Sequence, residues 1–188
     1  MAARRPRKVV LGLEQIAALR SKLRARIVDL IYNAGELTVA QIAEELGQKP
    51  TALYRHLDHL VEVGLLIEGE PVRTEKNFAR VFVGPGDTLA YVPPGEADEE
   101  MREAVAGLIA YELNLAARET ARAYAERIGT VGVPSAHLKY VSTTGWLSRE
   151  ERARVNALLD EVVAVFSASS HGPGKDLQTI SFASRPST

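Results

Sequence analysis

The chain has 188 residues, 23 Lys+Arg against 24 Asp+Glu for a net charge of −1, and no cysteine. With 46% hydrophobic and 25% charged residues it has the make-up and length of a globular protein with a sizeable core. The missing thiols exclude disulfides, thiolate metal sites and iron–sulfur clusters, and no run approaches the roughly 18 apolar residues of a membrane span.

Taken in chain order, residues 1–13 read as a basic arm carrying Arg4, Arg5, Arg7 and Lys8. This segment lacks the apolar stretch of a secretory signal, so the expected location is cytoplasmic. KVVLGL at 8–13 is either a short strand or the lead-in to a helix. From Glu14 to about Asn33, Ile16, Leu19, Leu23, Ile27, Leu30 and Ile31 recur at helical spacing, and Gly35 suits the helix end.

Thr38 is placed to cap the next helix, whose inner face would be Val39, Ile42, Ala43 and Leu46 before Gly47 breaks it. Pro50 starts another helix, where its missing N–H costs nothing. Leu53, Leu57, Leu60 and Val61 form its apolar stripe, and Gly64 ends it. Leu65 to Glu68 and Phe78 to Val83 then read as the strands of a hairpin around a polar loop with Arg73 and Lys76. Helix, turn, helix and hairpin in this order outline a winged helix-turn-helix over residues 14–83.

Three prolines and three glycines mark residues 84–97 as a linker. A long alanine-rich helix is expected from about Asp98 to Ile128. A second starts at Ser148, which has capping-box spacing with Glu151, and carries Val155, Leu158, Leu159, Val162 and Phe166. HLKYVST and LQTISFA are candidate extended segments. The fold expected is mainly α with a small β-wing (α+β), with residues 98–188 as a helical dimerisation or effector region.

Charge supports this division. Residues 1–80 carry a net +3 and residues 81–188 a net −4, which suits a DNA-facing first half. On the helix from Pro50, the apolar stripe turns Ala52, Arg55 and His59 outward with Thr51 close by. Such a corner is what a recognition helix offers to base edges, and Arg55 can donate two hydrogen bonds to guanine O6 and N7. Tyr54 lies on the flank, and Arg73 and Lys76 give the wing positive charge for the DNA backbone.

The run TVAQIAEELGQKPTALYRHLDHLVEVGLL resembles the ArsR-type winged helix-turn-helix transcriptional regulators. The motif parts are Ala43–Leu46–Gly47, then Pro50, then Arg55–His56–Leu57, then Gly64–Leu65–Leu66. The resemblance covers about residues 14–83. It implies a DNA-contact role for Thr51, Ala52, Tyr54, Arg55 and His56, with Gln48 and Lys49 in the preceding turn. It also implies a homodimer, most simply a repressor, that answers to a small-molecule effector. Metal-responsive members use cysteines or clustered His and carboxylates; this chain has no cysteine and its long C-terminal helix no histidine, so neither metal nor other cofactor is expected.

Other chemistry finds little support. His56 and His59 share a helix face but have no evident third ligand, and GPGD at 84–87 lacks the lysine and helix of a phosphate loop. No hydrolase motif is present, so an enzyme is not expected. The competing reading is a winged-helix protein–protein adapter without DNA binding, suggested by the overall charge and by Glu68, Glu70 and Glu75 near the wing.

Overall fold

The computed structural model describes residues 7–74, 77–93, 95–127 and 148–167. HLKYVST, LQTISFA, His137, Trp146, His171 and the arm residues Arg4 and Arg5 lie outside these segments. The chain divides into two compact units, residues 1–113 and 114–188.

The first unit opens with a strand, β1 (Lys8–Val10), followed by α1 (Leu13–Leu19) and α2 (Lys22–Ala34). The single helix expected from 14 to 33 is thus two. Arg20 closes α1 and Ser21, in extended conformation, starts α2. Periodicity could not reveal this break, because Ile16, Leu19, Ile27, Leu30 and Ile31 of both helices pack into one core. Lys8 correspondingly belongs to a strand and not to a free arm.

After β2 (Glu36–Thr38) come α3 (Val39–Leu46) and α4 (Pro50–Glu62). Thr38 caps α3 as expected: its Oγ1 accepts from the Gln41 amide at 3.3 Å, and Gln41 Oε1 accepts from the Thr38 amide at 2.9 Å. This reciprocal pair satisfies two of the amides that a helix start leaves unpaired. Gly47 ends α3 with φ of 60° and ψ of 37°, a left-handed conformation that side-chain-bearing residues adopt at a cost. Pro50 occupies the first turn of α4. The turn between α3 and α4 is therefore set by residues whose backbone preferences already agree with it.

The wing follows as β3 (Ile67–Glu68), β4 (Val72–Arg73), β5 (Phe78–Ala79) and β6 (Val81–Val83). The strands β3 and β6 pair antiparallel, with Ile67 opposite Val83 and Glu68 opposite Phe82. The outer part of the hairpin pairs Val72 with Ala79 and Arg73 with Phe78. The third strand of the wing sheet, β2, was not anticipated; it lies on the other side of β6, with Thr38 opposite Val81. One strand thus ties the wing to the cap of α3.

Residues 88–90, within the stretch read as linker, form β7 (Thr88–Ala90), which runs parallel to β1. Gly86 makes the approach feasible. A Cβ there would stand 2.7 Å from the Arg7 carbonyl oxygen and from Val9 Cγ2. Behind the strands, Ile27, Ile31, Ile42, Leu53, Leu57, Leu60, Leu65, Leu66 and Phe82 are fully buried. Burying each such side chain contributes about 1.5–3 kcal/mol against exposure.

The helix α5 (Glu99–Arg127) spans the division between the units. Asp98 Oδ1 accepts from the Met101 amide at 2.8 Å, which caps its start. Met101, Ala104, Val105, Leu108 and Tyr111 pack against the core of the first unit. In the second unit, α6 (Arg149–Ser167) begins with the expected capping box, Ser148 N–H to Glu151 at 2.8 Å and Glu151 N–H to Ser148 Oγ at 3.1 Å. Of its expected apolar stripe, Leu159, Val162 and Phe166 are half-buried, whereas Val155 and Leu158 are exposed.

Candidate nucleic-acid interface

The helix α4 presents two chemically distinct sides. Leu53, Leu57 and Leu60 have no solvent exposure and fix its rotation. Thr51, Ala52, Tyr54 and Arg55 are then exposed on the outer side, and His56 and His59 are half-buried beside them. The expected outward residues therefore share one face. Gln48 and Lys49 are exposed in the preceding turn; Gln48 Nε2 reaches the Leu46 carbonyl at 3.5 Å, and Lys49 is the residue from which α4 starts.

Arg73 is exposed on β4, opposite Phe78, which is 70% exposed. Lys76 lies outside the described residues. Next to it, Thr74 and Asn77 close the tip: the Thr74 hydroxyl donates to the Asn77 carbonyl at 2.6 Å, and the Thr74 amide bonds the same carbonyl at 2.8 Å.

Two residues passed over in the sequence organise this surface. Arg80, between β5 and β6, donates to Glu68 Oε1 at 2.6 Å and to Asp58 Oδ1 at 2.8 Å, with its guanidinium 5.1 Å from the Phe82 ring centroid. Glu68 belongs to β3 and Asp58 to α4, so one side chain joins wing and helix. The bond to Arg80 lowers the Glu68 pKa, and the same bonds hold Arg80 firmly charged. Glu68, which had counted against a DNA surface, thereby shares one cation with Asp58.

The other is Arg24 of α2. With Arg55, His56, Asp58, His59 and Glu62 it lines an open hollow beside α4. Its Nε donates to the Ala18 carbonyl at 2.7 Å. The His56 pKa is lowered, first by burial, then by the charges of Arg55, Arg24 and His59. His59 Nδ1 stands 3.4 Å from Glu62 Oε2. No spacing signal pointed to Arg24, because a residue on another helix reaches this hollow only through tertiary packing.

A family model matches the helix-turn-helix part of this architecture. Residues 19–69 match the family model described as a helix-turn-helix domain. Over that span the chain carries a helix-turn-helix. Among solved structures, YusO from Bacillus subtilis is 15% identical, with 81% of this chain and 82% of that one covered and a TM-score of 0.32. ZitR from Lactococcus lactis is 16% identical, covering 81% and 87%, also at 0.32. The transcriptional regulator SlyA is 15% identical, covering 80% and 78%, at 0.30. No curated protein matches significantly. Among the described residues, no helix is long and apolar enough to cross a membrane, and no three His, Asp or Glu side chains gather as a metal site would require.

Proposed function

We propose that this protein is a sequence-specific double-stranded DNA-binding transcriptional regulator of ArsR-like type, acting in the cytoplasm as a homodimeric repressor under a small-molecule effector. The observation that carries this reading is the exposed Thr51–Ala52–Arg55 face of α4, held over fully buried leucines inside a helix-turn-helix. In this reading α4 enters the major groove, Arg55 reads a guanine, Thr51 and Tyr54 meet phosphates or a thymine methyl, and His56, Gln48 and Lys49 lie along the backbone. Arg73 and Lys76 of the wing contact the adjacent backbone.

Pairing of subunits through the helical region is supported by apolar side chains that each unit leaves in solvent. These are Ile109 and Leu113 on α5, and Val155, Leu158, Val163 and Val165 on α6. Two-fold pairing would give an operator with two half-sites.

The test is selection of bound sequences from a random duplex pool by the full chain at near-physiological salt. A two-fold symmetric site is expected, and Arg55→Ala should lose preference at one position per half-site, a change worth about 1–3 kcal/mol of discrimination. An unselected pool would count against the reading.

A second reading, a protein–protein adapter, draws on a specific feature of the wing: Ile67, Val72 and Phe78 are all exposed. An adapter would leave the pool unselected and lose its partner when Phe78 is replaced by a polar residue.

A further inference from the structure

The hollow beside α4 collects two guanidiniums and two imidazoles from two helices. Its acids are already engaged. Asp58 binds Arg80 at 2.8 Å, and Glu62 faces His59 at 3.4 Å. Its arginines are not. Arg55 has no hydrogen bond or ion pair among the described residues, and Arg24 uses only Nε, on the Ala18 carbonyl. That bond holds the guanidinium at a fixed place and leaves four N–H donors without a protein acceptor. His56 lines the same hollow, half-buried and close enough for both cations to act on its charge.

An anchored guanidinium with free donors beside a second arginine and a half-buried imidazole, with Asp58 turned to Arg80, suits a tetrahedral oxyanion. We propose that this hollow is a phosphate seat for the DNA backbone, in which Arg24, from outside the helix-turn-helix pair α3–α4, is a direct contact and His56 completes the seat by taking up a proton. The proposal rests on the DNA reading above. The proton follows from the burial and the charges in place. Burial first, and then the charges of Arg55, Arg24 and His59, disfavour protonation of His56 in the free protein, while Asp58 pairs with Arg80 and Glu62 faces His59. An incoming phosphate reverses the local field and raises the imidazole pKa, so binding consumes a proton. Affinity should then rise as pH falls through the His range, with up to about one proton taken up per subunit.

The experiment measures binding of a mixed-sequence 30-base-pair duplex to the full chain by fluorescence anisotropy, across salt and from pH 5.5 to 7.5. For Arg24→Gln, affinity should fall roughly tenfold and the log–log salt slope should flatten by about one. Arg24→Lys should restore the slope, separating charge from any structural role of the Ala18 contact. His56→Gln should still bind, with the pH dependence reduced. If the natural protein binds duplex and Arg24→Gln leaves the salt slope unchanged, the seat is refuted and the DNA reading stands. If the natural protein binds no duplex, the DNA reading and the backbone source both fall. Titration with inorganic phosphate, followed by the His56 ring resonances, then decides the chemistry: Arg24-dependent shifts uphold an anion seat, and unmoved resonances refute it.

Discussion

Arg80 shows how a single side chain can determine what surface a helix presents. Without it, Asp58 and Glu68 would place two uncompensated negative charges beside the outer face of α4. Exposed ion pairs of this kind contribute little to stability. Arg80→Gln should therefore leave thermal unfolding nearly unchanged while weakening duplex binding, most clearly at low salt. The double variant Arg80→Gln, Asp58→Asn should recover part of the loss. A single variant that binds as well as the natural protein would show that the two acids lie away from the nucleic acid. This residue was illegible in the sequence because its partners are 22 and 12 positions away. Arg55, Thr51 and Ala52 were legible, since a regular apolar stripe on their own helix fixes where they face.

At the level of elements, the caps and the wing hairpin were readable and the pairings of β2 and β7 were not. Thr38, Gly47, Pro50 and Ser148 act through neighbours within a few residues, whereas β2 and β7 take partners that no local pattern names. The interruption at Ser21 stayed hidden because two consecutive helices on one core keep a common spacing. The cap of α3 gives a measurable quantity: Thr38→Ala should cost about 1 kcal/mol in urea unfolding, with the denaturant slope unchanged.

The packing of α2 with α5 gives another. Burial raises the pKa of Asp29, and burial together with the Asp29 charge raises that of Glu112. A raised carboxyl means that the folded state holds its proton where the unfolded state has lost it. This contribution is fully present below the unfolded value, near 3.8 for Asp29, and is lost as pH rises through the higher folded value. Asp29→Asn should consequently raise the melting temperature at pH 7 and leave it nearly unchanged well below pH 3.8. An equal effect at both pH values would point to packing and not to charge.

For the whole molecule, the exposed apolar side chains of α6 bear on assembly. Leu158 and Val165 of α6 are 51% and 70% exposed and seven residues apart, so they share one side of the helix. Leu158→Glu and Val165→Glu together should shift sedimentation toward monomer and lower affinity for a two-half-site operator, while a single half-site is bound as before. Intact dimers in this variant would move the pairing surface elsewhere. If the dimer is two-fold, half-site centres should lie about 34 Å apart, one turn of the duplex.

The short ladder between β1 and β7 bears on the order of folding. It joins residues 80 positions apart, and closing such a loop costs about 4 kcal/mol in chain entropy before any contact is made. The ladder itself returns a few backbone bonds, such as Leu11 N–H to the Ala90 carbonyl at 2.9 Å, each worth only about 1 kcal/mol net. What tips the balance is Leu11, 3% exposed in a core that must already exist to receive it. The helices and wing should therefore assemble first and the amino-terminal strand dock last. In native-state hydrogen exchange, the Leu11 amide should open well before that of Leu57, so the protein can undo its first strand without surrendering its helix-turn-helix.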